Sequence, residues 1–285
     1  MFGDKQSQSV GPYALAIQAQ GDINIQGASP EHIDQMVRLF LDYNFPKLRD
    51  EALAIARDYV EQFGKQLKES LIAKRESIDV GKLVLPDVQA GINDAVLASA
   101  RLGSKANPEI LCELITERLR PGDDQFKDIV IAAAIRVVPQ LTSPQVAMLV
   151  LLHSVLEVEI KKDELFFPSL DAYALAVMPL CEPISELSRA QRSHAEAVGV
   201  CAGPQSSFKF DIYSALYEKY KGEGLTELVT FKTAISEQAP IFSQLLDIYE
   251  SQRLFTLRPT SVGSAIAIAR LSTVMDGLQM DAWIN

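Results

Sequence analysis

Two apolar segments stand on either side of a proline-flanked turn near the middle of the chain: residues 129–138, broken by Arg136, and residues 146–156, broken by His153. Each is far shorter than the roughly 20 residues that a bilayer-spanning helix needs. Both are too apolar to face water, so they must be buried against other elements of the same chain. The stretch between them, Pro139-Gln140-Leu141-Thr142-Ser143-Pro144, combines a stop, a cap and a proline suited to a first helical position. The pattern therefore predicts two helices joined by a tight turn at the buried centre of the fold. Ile129, Ile131, Ile135, Val138, Val146, Leu149, Val150 and Leu152 are its expected core residues. A chain of 285 residues is long enough to wrap such a centre as one large or two ordinary domains.

Helical signals surround this centre. Ser29, Pro30 and Glu31 form a start signal, followed by an apolar face at Ile33, Met36, Val37, Phe40 and Leu41. Pro46 opens a second helix, expected to reach about Ser77, with a stripe through Leu48, Ala52, Ile55, Tyr59, Phe63, Leu67 and Leu71. A helix that long with one apolar stripe is a spine or an oligomer interface. Further helices are expected at 86–102, 108–119, 124–138, 143–158, 179–198, 208–220, 225–238 and 241–249, with a last one capped by Thr260-Ser261. Residues 253–257 (RLFTL) read as a short strand. The fold class expected is mainly α: a multi-helix bundle with a short N-terminal β segment and a minor C-terminal α+β, winged-helix-like portion. The organisation expected is an N-terminal β oligomerisation segment at 1–28, a helical domain with the long helix at 29–160, and a C-terminal helical and α+β domain at 161–285.

Charge and motifs narrow the chemistry. Thirty-seven acidic residues oppose 27 basic ones, a net charge of −10, and the basic residues are dispersed. A protein built to grip phosphodiester backbones normally carries a basic face, so nucleic acid is disfavoured as a partner. Three histidines, and no HExxH or CxxC, argue against a metal site. The glycine patterns of a phosphate cradle, a dinucleotide loop and a nucleophile elbow are missing. His153 reads as a core histidine and the three cysteines as buried structural residues. No catalytic, cofactor-binding or metal residue is assigned, and no cofactor is expected. The odd cysteine count and an N-terminus without a signal layout lead to the expectation of a cytoplasmic protein with no membrane span.

Residues 13–26 stand out. Leu15, Ile17 and Ala19 alternate with Ala16, Gln18 and Gln20; Gly21-Asp22 breaks the alternation, and Ile23 and Ile25 then alternate with Asn24 and Gln26. This almost uncharged, amide-rich strand can pair within the chain, with RLFTL, or between chains as an in-register stack. The two pairings weigh equally. In the second, Ile17, Gln18, Gln20, Gly21, Asp22, Ile23, Asn24 and Ile25 are the oligomerisation residues.

The opening AIQAQGDINIQG, the stretch NPEILCELITERL followed by VIAAAIRVVPQLTSPQVAMLVLL, and the ending TSVGSAIAIARL with AWIN resemble an uncharacterised bacterial family of accessory and mobile genes. The middle stretch also resembles the helical core of abortive-infection alpha-type proteins. These resemblances imply a non-enzymatic, self-associating protein that senses or scaffolds in bacterial conflict or phage defence, with itself and another conflict-system protein as partners. The rival from another class is a nucleic-acid-binding regulator, whose winged-helix-like C-terminal region would bring Lys232, Arg253, Arg258 and Arg270 to one face.

Overall fold

The computed structural model describes Arg38 and residues 50–161, 163, 165–203, 211–221, 227–275, 278 and 280. The calls on residues 13–28 and on the helix beginning at Pro30 lie outside them. Among the described residues the fold is mainly α, with eleven α-helices and a single two-stranded sheet. The helices are α1 (Asp50–Ala73), α2 (Pro86–Leu102), α3 (Pro108–Arg118), α4 (Gln125–Val137), α5 (Ser143–Leu156), α6 (Phe166–Cys181), α7 (Arg189–Ala197), α8 (Ile212–Tyr220), α9 (Leu228–Gln238), α10 (Pro240–Ser251) and α11 (Ser261–Leu271). Strand β1 (Cys201–Ala202) runs antiparallel to β2 (Arg258–Pro259), pairing Cys201 with Pro259 and Ala202 with Arg258.

Helix α5 is the axis of the packing. Twelve of its fourteen residues are buried, so it has no water-facing side and must be enclosed by neighbours. It packs against α11, α6, α10 and the 3-10 turn after α6. Helix α11, with eight of eleven residues buried, also contacts α3 and α4. One core cluster runs from Ala56 to Met280, with residues on both sides of position 160.

Local chemistry sets the helix ends. Asp124 caps α4 by accepting from the backbone N–H groups of Phe126 (2.9 Å) and Lys127 (3.0 Å). Helices α5 and α7 start with interlocked capping boxes written in the related strings TSPQ and SRAQ. Gln145 Oε1 accepts from Thr142 N at 2.9 Å, and Gln191 Oε1 from Ser188 N at 2.8 Å. Gln145 Nε2 then donates to Gln191 O at 2.7 Å, while Gln191 Nε2 donates to Thr142 Oγ1 at 2.9 Å. Helix α10 follows Ala239, which has no capping side chain. Asp171 of α6 serves instead, accepting from Ile241 N at 2.6 Å and Phe242 N at 3.2 Å.

Three expectations change. In α1 the buried stripe is Ala56, Val60, Phe63, Leu67 and Leu71, while Ile55 is 54% exposed. The steps of three and four admit two registers in the first turns, and packing on α2 and α3 selects the later one. The helix expected at 179–198 is three elements: the end of α6, a 3-10 turn at Glu182–Glu186, and α7. Phe166, Leu170, Ala174 and Val177 carry a helical stripe up to Pro179, which sits in the last turns of α6. The RLFTL strand is a 3-10 turn at Leu254–Thr256, and pairing starts only at Arg258.

The β1–β2 pair brings α11 hard against the turn after α7. Thr260 N donates to Val200 O at 3.1 Å, and Thr260 Oγ1 donates to Gly199 O at 2.6 Å. A Cβ on Gly263 would lie 2.0 Å from Val200 O, a backbone atom that cannot rotate away. Gly263→Ala should therefore cost about 3 kcal/mol or more, read from the denaturant midpoint. His153, 1% exposed in α5, gives a second test. Burial, and secondarily the charge of Lys219, push its pKa down to about 4. The folded state thus resists a proton that the unfolded state accepts below its usual 6.5. Its neutral form carries no penalty above pH 6.5, and stability should fall by about 3 kcal/mol as pH drops from there to about 4. Urea titrations across that window should show a flatter acid limb in His153→Leu than in the wild type.

Candidate functional site

The corner between α3 and α4 is built from charge. Residues Glu117-Arg118 at the end of α3 meet Lys127-Asp128 at the start of α4 in complementary order. Lys127 Nζ lies 2.8 Å from Glu117 Oε1, and Arg118 Nη1 lies 2.9 Å from Asp128 Oδ1. Arg118 also donates to Asp87 at the start of α2, and Arg120 Nε lies 2.6 Å from Glu117 Oε2. The Lys127 and Glu117 side chains are 9% and 8% exposed, so their charges are desolvated and neither partner can be removed without stranding the other. Burial opposes ionisation of Asp87, but the hydrogen bond and charge of Arg118 prevail and lower its pKa. At Asp128 desolvation prevails over the same arginine, and the pKa is raised.

Two consecutive anchors leave the first turn of α4 no rotational freedom. Successive residues are about 100° apart around a helix, so fixing Lys127 and Asp128 dictates where the rest point. Val130, Ile131, Ala134 and Ile135 face the core. Phe126, Ile129, Ala133 and Arg136 fall on the other side within about 80° of arc. Phe126 is 51% exposed and Ile129 58%. Ala133 is half-buried, and the exposed Arg136 reaches Asp94 of α2 at 3.3 Å. Ile129 was an expected core residue; the other seven of that set are buried. In an apolar segment, periodicity cannot tell a core-facing isoleucine from an outward one. The Glu-Arg and Lys-Asp pairs ten positions apart carried that information in the sequence.

The other titratable groups are placed for structure. The thiols of Cys181 and Cys201 are pushed up to about 12, by burial at Cys181 and by burial with the charge of Glu196 at Cys201; that of Cys112 is raised further, mainly by burial. Such thiols carry negligible thiolate at neutral pH. Tyr173 donates to Ser154 Oγ at 2.9 Å, and burial raises its pKa. Among the described residues no group of three or more His, Cys, Asp or Glu could hold a metal ion. No described helix is long and apolar enough to cross a membrane.

The proposed strand residues Ile17, Gln18, Gln20, Gly21, Asp22, Ile23, Asn24 and Ile25 lie outside the described residues. The four basic residues of the nucleic-acid reading occupy separate settings. Lys232 Nζ lies 4.8 Å from the centre of the Tyr213 ring, Arg258 donates to Leu257 O at 2.9 Å, and Arg270 pairs with Glu109. Arg253 is exposed after α10. Helix α11, which would have to enter a groove, is enclosed by α3, α4 and α5.

No curated protein and no solved structure matches the chain. A model of an uncharacterised “-like” family matches residues 27–231, more than half of the chain, and the chain therefore belongs to that family.

Proposed function

We propose that this chain is a non-enzymatic, self-associating scaffold or sensor of bacterial conflict or phage defence. The observation that carries the self-association is the outward face of α4. A large aromatic and a large aliphatic side chain stand in water at a site that two ion pairs hold rigid. Exposed apolar side chains grouped on one helix mark interaction surfaces more often than chance exposure does. The face is also self-complementary. An antiparallel two-fold crossing centred between Ile129 and Ala133 sets the large residue of each copy against the small residue of the other. The same crossing lays Phe126 against Arg136 of the second copy, a cation–π arrangement. Helix α4 is only about 20 Å long, too short to bury by itself the roughly 1,200–2,000 Å² of a stable interface. A second contact is needed, and the 13–26 strand supplies it in this reading.

Light scattering should give the wild type a mass above that of a monomer, rising with salt because the charge of −10 on each copy opposes association. Phe126→Glu and Ile129→Lys should lower that mass while changing stability by no more than about 0.5 kcal/mol, since both positions are exposed. Ile23→Lys and Ile25→Lys should weaken the assembly further. A monomeric wild type would overturn the reading, and nanomolar sequence-selective binding of duplex DNA would replace it with the regulator.

A further inference from the structure

Helix α6 has a single charged residue, Asp171, and that carboxylate is occupied at the start of α10. Leu170, Ala174 and Val177 turn inward, where α6 packs on α5, α9 and α10. The outward side is apolar along its whole length. Leu165 at the N-cap, Pro168, Ala172, Leu175 and Pro179 are the exposed residues between positions 165 and 181, and no polar residue stands among them. Leu165 is 65% exposed and Leu175 61%. The five follow one another at steps of three, four, three and four. That is the a/d spacing of a heptad, at which one helix lies along another at a shallow angle. A surface helix that served only to cover the core would carry polar residues on this side.

We infer that this seam docks a second copy of the chain, α6 lying antiparallel along α6. The inference rests on the self-association proposed above and deepens it, through a different helix from α4. The seam matches itself: a two-fold crossing centred between Ala172 and Leu175 sets the leucine of each copy against the alanine of the other, and Pro168 against Pro179. Charge selects the same partner and direction. Each copy carries a net charge of −10, so copies repel over most approaches, whereas this contact contains no charged side chain. Exposed Glu182 and Glu186 lie just beyond the C-terminal end of α6, and exposed Lys161, 3.8 Å from Asp163, lies before its N-terminus. Antiparallel docking brings the glutamates of one copy to the lysine and the positive helix end of the other, twice by symmetry; parallel docking sets acid on acid. At about 24 Å, α6 is no more able than α4 to bury by itself the roughly 1,200–2,000 Å² of a stable interface. It therefore joins copies that α4 already holds in pairs, and two different two-fold contacts on each copy carry the assembly beyond a dimer.

The test reads mass and disulfide pairing in the full chain. Light scattering over a concentration series should show the wild-type mass rising past twice that of a monomer. Leu175→Glu should raise the concentration needed for that rise about tenfold or more, and should melt as the wild type does because the position is exposed. Chains carrying Pro168→Cys, mixed with chains carrying Pro179→Cys, should oxidise mainly to the mixed disulfide. The antiparallel register sets these two positions side by side and holds like positions about 16 Å apart, beyond disulfide reach. The three native cysteines are buried and do not compete. The mixed disulfide should form in Phe126→Glu chains as well, so failure of the α4 face and failure of the α6 seam give different results. A Leu175→Glu protein that assembles as the wild type does would overturn the inference and leave the seam to a different protein. Like-with-like disulfides in preference to mixed ones, or no disulfide at all, would overturn it too.

Discussion

The enclosure of α5 is the constraint from which the rest of the architecture follows. A helix with almost every residue buried has no side to give to water, so it forces a ring of neighbours whose own inner faces must be apolar. That accounts for α11, nearly as buried, which packs along α5 while its Gly263 lies hard against the backbone of Val200 in the turn after α7. It also makes each polar group of α5 a problem to be solved by a neighbour. Gln145, 1% exposed, is satisfied by Thr142, Gln191 and His194. Ser154 is satisfied by Tyr173. The polar groups of the central helix therefore specify which partners surround it and in what orientation, which apolar packing alone would leave loose.

Much of this was legible because it rests on local rules. Pro86, Pro108, Ser143-Pro144 and Thr260-Ser261 mark helix starts through caps and fixed φ, and the structure has α2, α3, α5 and α11 there. What was not legible rests on contacts between distant residues. RLFTL has the composition of a strand but lies where the chain must turn from α10 towards α11, and the antiparallel partner Cys201–Ala202 pairs only with the two residues after Leu257. Propensity yields to position there. Asp171 looks like an ordinary helical carboxylate, and only the fold brings it to the bare start of α10, 70 residues on.

Composition misleads in a comparable way when it is averaged. A net charge of −10 is a sum over the whole sequence, in which arginines and lysines are dispersed. It says nothing about which cation the fold sets beside which acid. Lys127 and Glu117, ten positions apart, are both almost fully buried and meet at 2.8 Å. Local electrostatics is set by which groups the fold brings together, and the overall sum cannot show it.

The same reasoning bears on α4, where sequence and structure disagree most usefully. Ile129 and Ile131 look alike in an apolar run, yet one is 58% exposed and the other fully buried. Hydrophobicity alone would gain from turning both inward, but a helix cannot bury its whole circumference at the edge of a bundle. The rotation that α4 adopts is fixed by Lys127 and Asp128, whose charges would be stranded by any other. One desolvated and one partly desolvated ion pair are an expensive way to hold a corner that apolar residues could fill at equal or lower cost. Their distinguishing effect is directional: they commit Phe126 and Ile129 to the outside. A rigid corner that presents apolar side chains to water makes physical sense when something else completes their burial.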